Sequence, residues 1–334
     1  MLYRYLQTYP ASNLVPLDPK LKAAIAAMPP RDMSLPIEQL RAGVEEMAAT
    51  QPKLNEAVGA VVNRKIPGPG GDIPIRIYTP LGKPPFPLLI HIHGGGWVWG
   101  SLDSADDVCR SLCNRAGTAI VSVDYRLAPE NKFPAAVDDG YAALQWVVEN
   151  AAALGGNPRA VAIGGDSSGG NIATAVALYS RDHGGPKAAL QVLIYPVTNC
   201  AFDTASYHEN AGGYGLTREA MMYFWFTYLR TPADGQSPYA SPLQAKDLSG
   251  LPPALIVTAQ YDPLRDDGEA YAARLHRSGV PVRLTRYLDM NHAFFLYGAV
   301  YNSANRVLTE IAETLKAAFR QPSEAGTFHW PTTL

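Results

Sequence analysis

The residues best suited to chemistry lie where an apolar run, RAVAIG (159–164), reaches Gly165-Asp166-Ser167-Ser168-Gly169 and passes into NIATAVALYSRD. This reads as strand, tight turn, helix. A serine at such a turn occupies a strained backbone position, and the residues two before and two after it must lack side chains because the two chain directions nearly touch. Gly165 and Gly169 meet that demand for Ser167. For Ser168 the same offsets fall on Asp166 and Gly170, and the aspartate would clash, so Ser167 is the candidate nucleophile. A bare G-x-S-x-G is a weak signal in a glycine-rich chain, and its place after an expected strand gives it weight.

A serine hydroxyl attacks only when a neutral imidazole takes its proton and a carboxylate fixes the imidazole's tautomer. In this architecture the order is serine, acid, histidine, with the last two on loops at the carboxyl ends of late strands. Asp262 follows the run ALIVTAQ, in YDPLRDD, and His292 follows VRLTRYL, in DMNHAFF. Asp266 and Asp267 fall where the next helix begins, a place for capping or for facing the helix dipole. His276 lies inside a helical pattern, and His183 and His208 precede the acid. Attack on a carbonyl also needs donors for the oxygen that becomes negative. HIHGGGWVWG supplies them: the expected oxyanion donors are the N–H groups of Gly94 and Gly95, with that of Ser168 as the third. His91 and His93 alone do not complete a metal site, and no metal or other cofactor is expected.

These residues need a scaffold, and the chain supplies the rhythm of one. Short β-branched runs at 57–66, 73–80, 87–93, 119–125, 160–165, 189–196, 254–260 and 282–288 alternate with helical stretches near 104–116, 135–153, 169–182, 266–278 and 303–319. That alternation predicts a mostly parallel eight-stranded α/β sheet flanked by helices, with the first two strands as an antiparallel lead-in. Residues 1–50 and 201–250 break the rhythm; the latter contain REAMMYFWFTYL, an apolar helix-like run, and both are candidates for a cap.

Composition agrees with an enzyme core and excludes several partners. Of the 334 residues, 28 are basic and 30 acidic, a formal charge of −2 that gives no footprint for nucleic acid. Hydrophobic residues reach 47% and charged ones 17%, so a large buried core is expected. No run of about 18 apolar residues and no secretory signal is evident, so a cytoplasmic protein without membrane insertion is expected. Cys109 and Cys113, four apart in a helical pattern, read as packed thiols.

With HGGGW (93–97), DYRLAPE (124–130), GDSSGG (165–170), YDPLRDDG (261–268) and the His292 loop in this order, the chain resembles the hormone-sensitive-lipase-like (bacterial family IV) carboxylesterases of the α/β-hydrolase superfamily, over about residues 70–320. The resemblance implies a helical cap made of residues 1–50 and the insertion 201–250. The hydrolase core would then comprise 51–200 and 251–334. It implies a serine carboxylesterase acting on small-molecule esters of short to medium acyl chain through an acyl-enzyme, without cofactor and as a homodimer. Trp97, Tyr195, Phe224 and Trp225 would be pocket walls. Arylacetamide-type amidases share the triad; the plant gibberellin receptors share the architecture as binding modules with an incomplete triad, whereas all three positions are filled here. Two residues depart from the family pattern: Ser168 stands for the usual alanine and Ala293 for the usual glycine after the histidine. Asp124 and Arg126 of DYRLAPE are expected to form a positioning ion pair.

Overall fold

A computed structural model describes residues 15–28, 32–320 and 330. Its strands are β1 (Ala60–Ile66), β2 (Ile73–Thr79), β3 (Phe86–Ile92), β4 (Ala119–Val123), β5 (Gly156–Asp166), β6 (Leu190–Ile194), β7 (Ala254–Tyr261) and β8 (Val282–Asn291). They form one sheet in the order β1-β2-β4-β3-β5-β6-β7-β8. β2 runs antiparallel to β1 and β4, and all other pairs are parallel. The antiparallel lead-in and the parallel body are as the sequence predicts.

The helices are α1 (Pro19–Ala27), α2 (Ile37–Thr50), α3 (Asp106–Ala116), α4 (Ala135–Asn150), α5 (Ser168–Asp182), α6 (Ala205–Glu209), α7 (Arg218–Tyr228), α8 (Arg265–Arg277) and α9 (Asn302–Phe319). Strand alternation sorts the core into two layers. Leu88, Ile90, Val121, Ile163 and Leu193 face α4, α5 and α8, while Leu89, Ile120, Leu190 and Val257 face α3 and α9. Covered on both faces, β4 and β6 are buried along their whole length, which is why they read as continuous apolar runs rather than alternating ones. Each such Leu, Ile or Val contributes roughly 1.5–3 kcal/mol by leaving water.

Element ends differ from the sequence expectation where polar residues lie in the sheet. β5 starts at Gly156 rather than 160, because Gly156 pairs with Phe86 across a register shift that the polar Asn157 and Arg159 conceal. α4 stops at Asn150, and a 3-10 turn over Ala151–Leu154 leads to Gly155 in the left-handed region at φ 65°. Cys109 and Cys113 are packed thiols in α3, buried as expected.

The order of strands decides where chemistry can sit. From β3 the chain goes to β4 on one side, and β5 pairs with β3 on the other. Chain direction therefore diverges at the carboxyl end of β3, opening the crevice in which α/β sheets bind their ligands. The glycine loop leaves β3 there, and Ser167 leaves β5 beside it.

Candidate active site

Only Ser167 separates β5 from α5, and its backbone has φ 55° and ψ −118°. The strain is held by hydrogen bonds on both sides: Ser167 N–H donates to Ile194 O at 2.9 Å, and Asn171 N–H donates to Ser167 O at 3.1 Å. Asn171 is itself fixed by its side-chain amide, which donates to Val197 O and Ala240 O. A Cβ at Gly165 would strike the carbonyl of Ile92 and the backbone of Gly169, and one at Gly169 would strike the carbonyls of Ile92 and His93. The requirement for small residues around Ser167 thus has named partners.

Asp262 follows β7 and His292 follows β8, neighbours in the sheet whose ends are paired at Tyr261 and Asn291. His292 Nδ1 lies 2.8 Å from Asp262 Oδ2, and Nε2 lies 2.9 Å from Ser167 Oγ. With the proton on Nδ1, the imidazole donates to the carboxylate and its free nitrogen accepts from the serine. Asp262 is fully buried, and its second oxygen accepts the N–H of Leu264 at 2.8 Å. Tyr195 packs its ring against that of His292, centroids 4.5 Å apart. The three residues singled out from sequence are therefore brought into one hydrogen-bonded chain. The competing carboxylates are not in it: Asp266 and Asp267 occupy the first turn of α8, where Asp266 accepts from Ser206 N–H and Arg265. Asp267 is buried, and burial with the nearby charges of Asp262 and Asp266 holds its carboxyl well above the usual range.

The oxyanion donors need correction at one position. Gly94 N–H donates to Asp166 Oδ1 at 3.0 Å and is engaged within the protein, so it does not face an incoming ester. Among the described residues the N–H groups of Gly95, Gly96 and Ser168 meet no acceptor. Gly95 and Gly96 turn at φ 117° and 60°, which leaves Gly95, Gly96 and Ser168 as the candidate donors. Ser168 N–H opens α5, where helix N–H groups and the helix dipole both favour negative charge. The hydroxyl of Ser168 is buried beside Tyr125, so the departure from alanine leaves the mouth of the site unchanged.

The four expected wall residues are all buried. Trp97 and Trp225 are sealed from water: the Trp97 ring stacks on Tyr228 at 4.3 Å and meets Trp225 at 4.7 Å. Tyr195 is equally closed off beneath His292. The Phe224 ring lies against Gly96 and meets Trp99 edge-on at 4.8 Å. The expected Asp124–Arg126 pair is absent. Arg126 instead grips the buried Asp139 through two nitrogens at 2.8–3.0 Å, and Asp124 lies 3.9 Å from His93.

Sequence reasoning missed several residues that hold the site. Arg41 on α2 donates to Val98 O and Ala128 O, at 2.8 and 2.9 Å, and to both oxygens of Glu130. Asn210 donates to Asp262 O at 3.2 Å, and Asn291 donates to Tyr214 O at 2.8 Å, tying segment 205–217 to the acid and histidine loops. None belongs to a pattern in its own stretch of chain; each acts on backbone carbonyls far away in sequence. His91 and His93 are buried, and loss of hydration holds their rings down to about 3 and about 4, which keeps both neutral.

Known proteins share this arrangement. The family described as alpha/beta hydrolase fold matches residues 89–296. Carboxylic ester hydrolase LipN of Mycobacterium tuberculosis is 46% identical over 241 residues, which span 70% of this chain and 64% of that protein. Carboxylesterase NlhH of the same organism is 43% identical over 251 residues, 74% of this chain and 79% of that protein. The hyperthermophilic esterase from the archaeon Pyrobaculum calidifontis superposes with a TM-score of 0.86 at 40% identity, covering 90% of this chain and 98% of that one. The chain belongs to the α/β-hydrolase fold family, in its hormone-sensitive-lipase-like branch.

Proposed function

We propose that the chain is a serine carboxylesterase that cleaves small-molecule esters of short to medium acyl chain. The observation that carries this reading is the chain of hydrogen bonds from Ser167 Oγ through His292 to the buried Asp262. Ser167 attacks the ester carbonyl while His292 Nε2 takes its proton. The oxygen, now negative, is held by the N–H groups of Gly95, Gly96 and Ser168. His292 then returns the proton to the departing alcohol, leaving an acyl-serine. Water, deprotonated by the same imidazole, attacks that acyl group and releases the carboxylic acid.

The preference for short to medium chains is supported by Phe224, which closes the space above Gly96. Residues 1–50, of which 1–14 and 29–31 lie outside the described residues, and 201–250 form the cap in this reading. α7 brings Phe224 and Trp225 onto the glycine loop. Three free cysteines suit the reducing cytoplasm. Among the described residues no helix is long and apolar enough to cross a membrane. A homodimer is expected to appear in light scattering at twice the chain mass of 36.0 kDa.

The test is hydrolysis of 4-nitrophenyl esters from acetate to palmitate by the wild type and Ser167→Ala. The wild type is expected to turn over the shorter members, and the variant to lose about 10⁶ in kcat. Undiminished turnover by Ser167→Ala would remove Ser167 from the mechanism, and a rate that peaks at palmitate would remove the chain-length preference.

A further inference from the structure

Asp166 is a buried carboxylate to which the proposed reaction assigns no step. It is the last residue of β5, directly before Ser167, and β5 runs beside β3 with Ile92 opposite Gly165. One residue further on the two strands part, and the Asp166 side chain spans the gap to accept Gly94 N–H at 3.0 Å. The fit is reciprocal: a Cβ at Gly94 would collide with Asp166 Oδ2, so only glycine lets the carboxylate lie against the loop.

Burial, the largest influence, pushes the Asp166 carboxyl up to about 6 against the opposing pull of Gly94 N–H and the His292 ring. A charge kept in the interior with so little compensation costs stability, and a neutral acceptor such as asparagine could make the same bond more cheaply. Gly95 and Gly96 follow the held amide with backbone angles at which glycine is freest. A loop of that kind needs a fixed point if its N–H groups are to stay aimed, since donors act on the oxyanion only within hydrogen-bond range.

We propose that Asp166 is a positioning residue for the glycine loop: by holding Gly94 N–H it fixes the N–H groups of Gly95 and Gly96 where the ester oxygen becomes negative. The inference rests on the esterase reading of Ser167. Its test is the kinetics of 4-nitrophenyl butyrate hydrolysis by wild type, Asp166→Asn, Asp166→Ala and Asp166→Leu, with thermal unfolding of each. Asparagine still offers an oxygen to Gly94 and is expected to keep kcat within about tenfold of wild type. Alanine and leucine offer none and are expected to lose about 10²–10³ in kcat, the effect of removing one oxyanion donor, with KM within a few-fold. A folded alanine or leucine variant with kcat near that of wild type would overturn the inference, as would an asparagine variant as poor as alanine. Should neither apolar variant fold, a loss beyond about 100-fold in Asp166→Asn overturns it and a smaller one supports it. A wild type inactive on every ester overturns the esterase reading and this inference together, whereas an active wild type with an unimpaired alanine variant overturns this inference alone.

Discussion

The carboxyl ends of the strands and the helices outside the sheet hold their places by different means. β3 and β5–β8 carry the glycine loop, Ser167, Asp262 and His292 on backbone ladders, with β4 and β6 buried along their full length. By contrast α1 and α2 each bury one residue, Leu21 and Leu40, whereas α7 is packed by Phe224, Trp225 and Tyr228 against the glycine loop and belongs with the firmly held parts. Catalytic atoms need placement within fractions of an ångström, which a sheet covered on both faces supplies. Helices held by a few side chains can shift without moving those atoms. Substitutions among the strand ends should therefore act on kcat, and substitutions among the outer helices on substrate capture.

The sharpest test of the rigid side is Asp262→Asn. The buried carboxylate accepts from both His292 and Leu264, so the amide would keep the shape while favouring the wrong imidazole tautomer. A fall of about 10⁴ in kcat is expected in steady-state ester hydrolysis, with the unfolding midpoint little changed. A loss of less than tenfold would mean that the acid does not orient His292.

Asp166 and Asp262 stand on the same side of that comparison but differ in what burial costs them. Asp262 accepts from His292 and Leu264, whereas for Asp166 burial outweighs the N–H of Gly94, the nearby His292 ring and its own backbone N–H, and its carboxyl is raised to about 6 from its ordinary 3.8. Between roughly pH 4 and 6 the folded chain then holds a proton that the unfolded chain has released. The contribution of Asp166 to stability is thus full below about pH 4, falls as pH rises, and levels off above about 6. Urea unfolding at pH 8 should find Asp166→Asn more stable than wild type by about 1–3 kcal/mol, with the gap closing by pH 4. A constant gap across this range would show that the carboxylate carries no such cost.

On the loosely held side, Arg41→Met removes the donors that join α2 to Val98 O and Ala128 O. Glu130 is half exposed, so its ion pair adds little, and the two carbonyl bonds carry most of the effect. We expect kcat/KM to fall about tenfold through KM, with faster amide exchange in α2. A fall confined to kcat would place α2 with the rigid strand ends and break the contrast.

What was legible in the sequence follows the same division. Every strand and the Ser167–Asp262–His292 chain could be read because period, turn chemistry and chain order are local signals, and the structure joins the three residues through hydrogen bonds of 2.8 and 2.9 Å. The errors lie where a role depends on a distant partner. Gly94 looks like a free donor until Asp166, 72 residues away, is seen to accept its N–H. Arg126 has an aspartate two residues before it, yet takes Asp139, because Asp139 lies one helix turn into α4 and is buried against it. The packing of Trp97 and Trp225 on Tyr228 is likewise invisible in the sequence, for it exists only once α7 is placed.

The smallest effect concerns the residue after His292. Ala293 has φ 67° and ψ 4°, the left-handed region in which a Cβ crowds the following carbonyl at a cost of about 1–2 kcal/mol. The glycine usual at this position in the family avoids that cost but adds freedom to the unfolded chain, worth about 0.5–1 kcal/mol in the other direction. Ala293→Gly should therefore stabilise by no more than about 1 kcal/mol, a rise of roughly 1–3 °C in Tm for a chain of this size. Since β8 and the contact with Asp262 hold His292 in place, kcat should stay within twofold. A large drop in kcat without loss of Tm would show that the methyl group of Ala293 helps to fix the imidazole, and that the rigidity of this corner comes from a side chain rather than from the strand that precedes it.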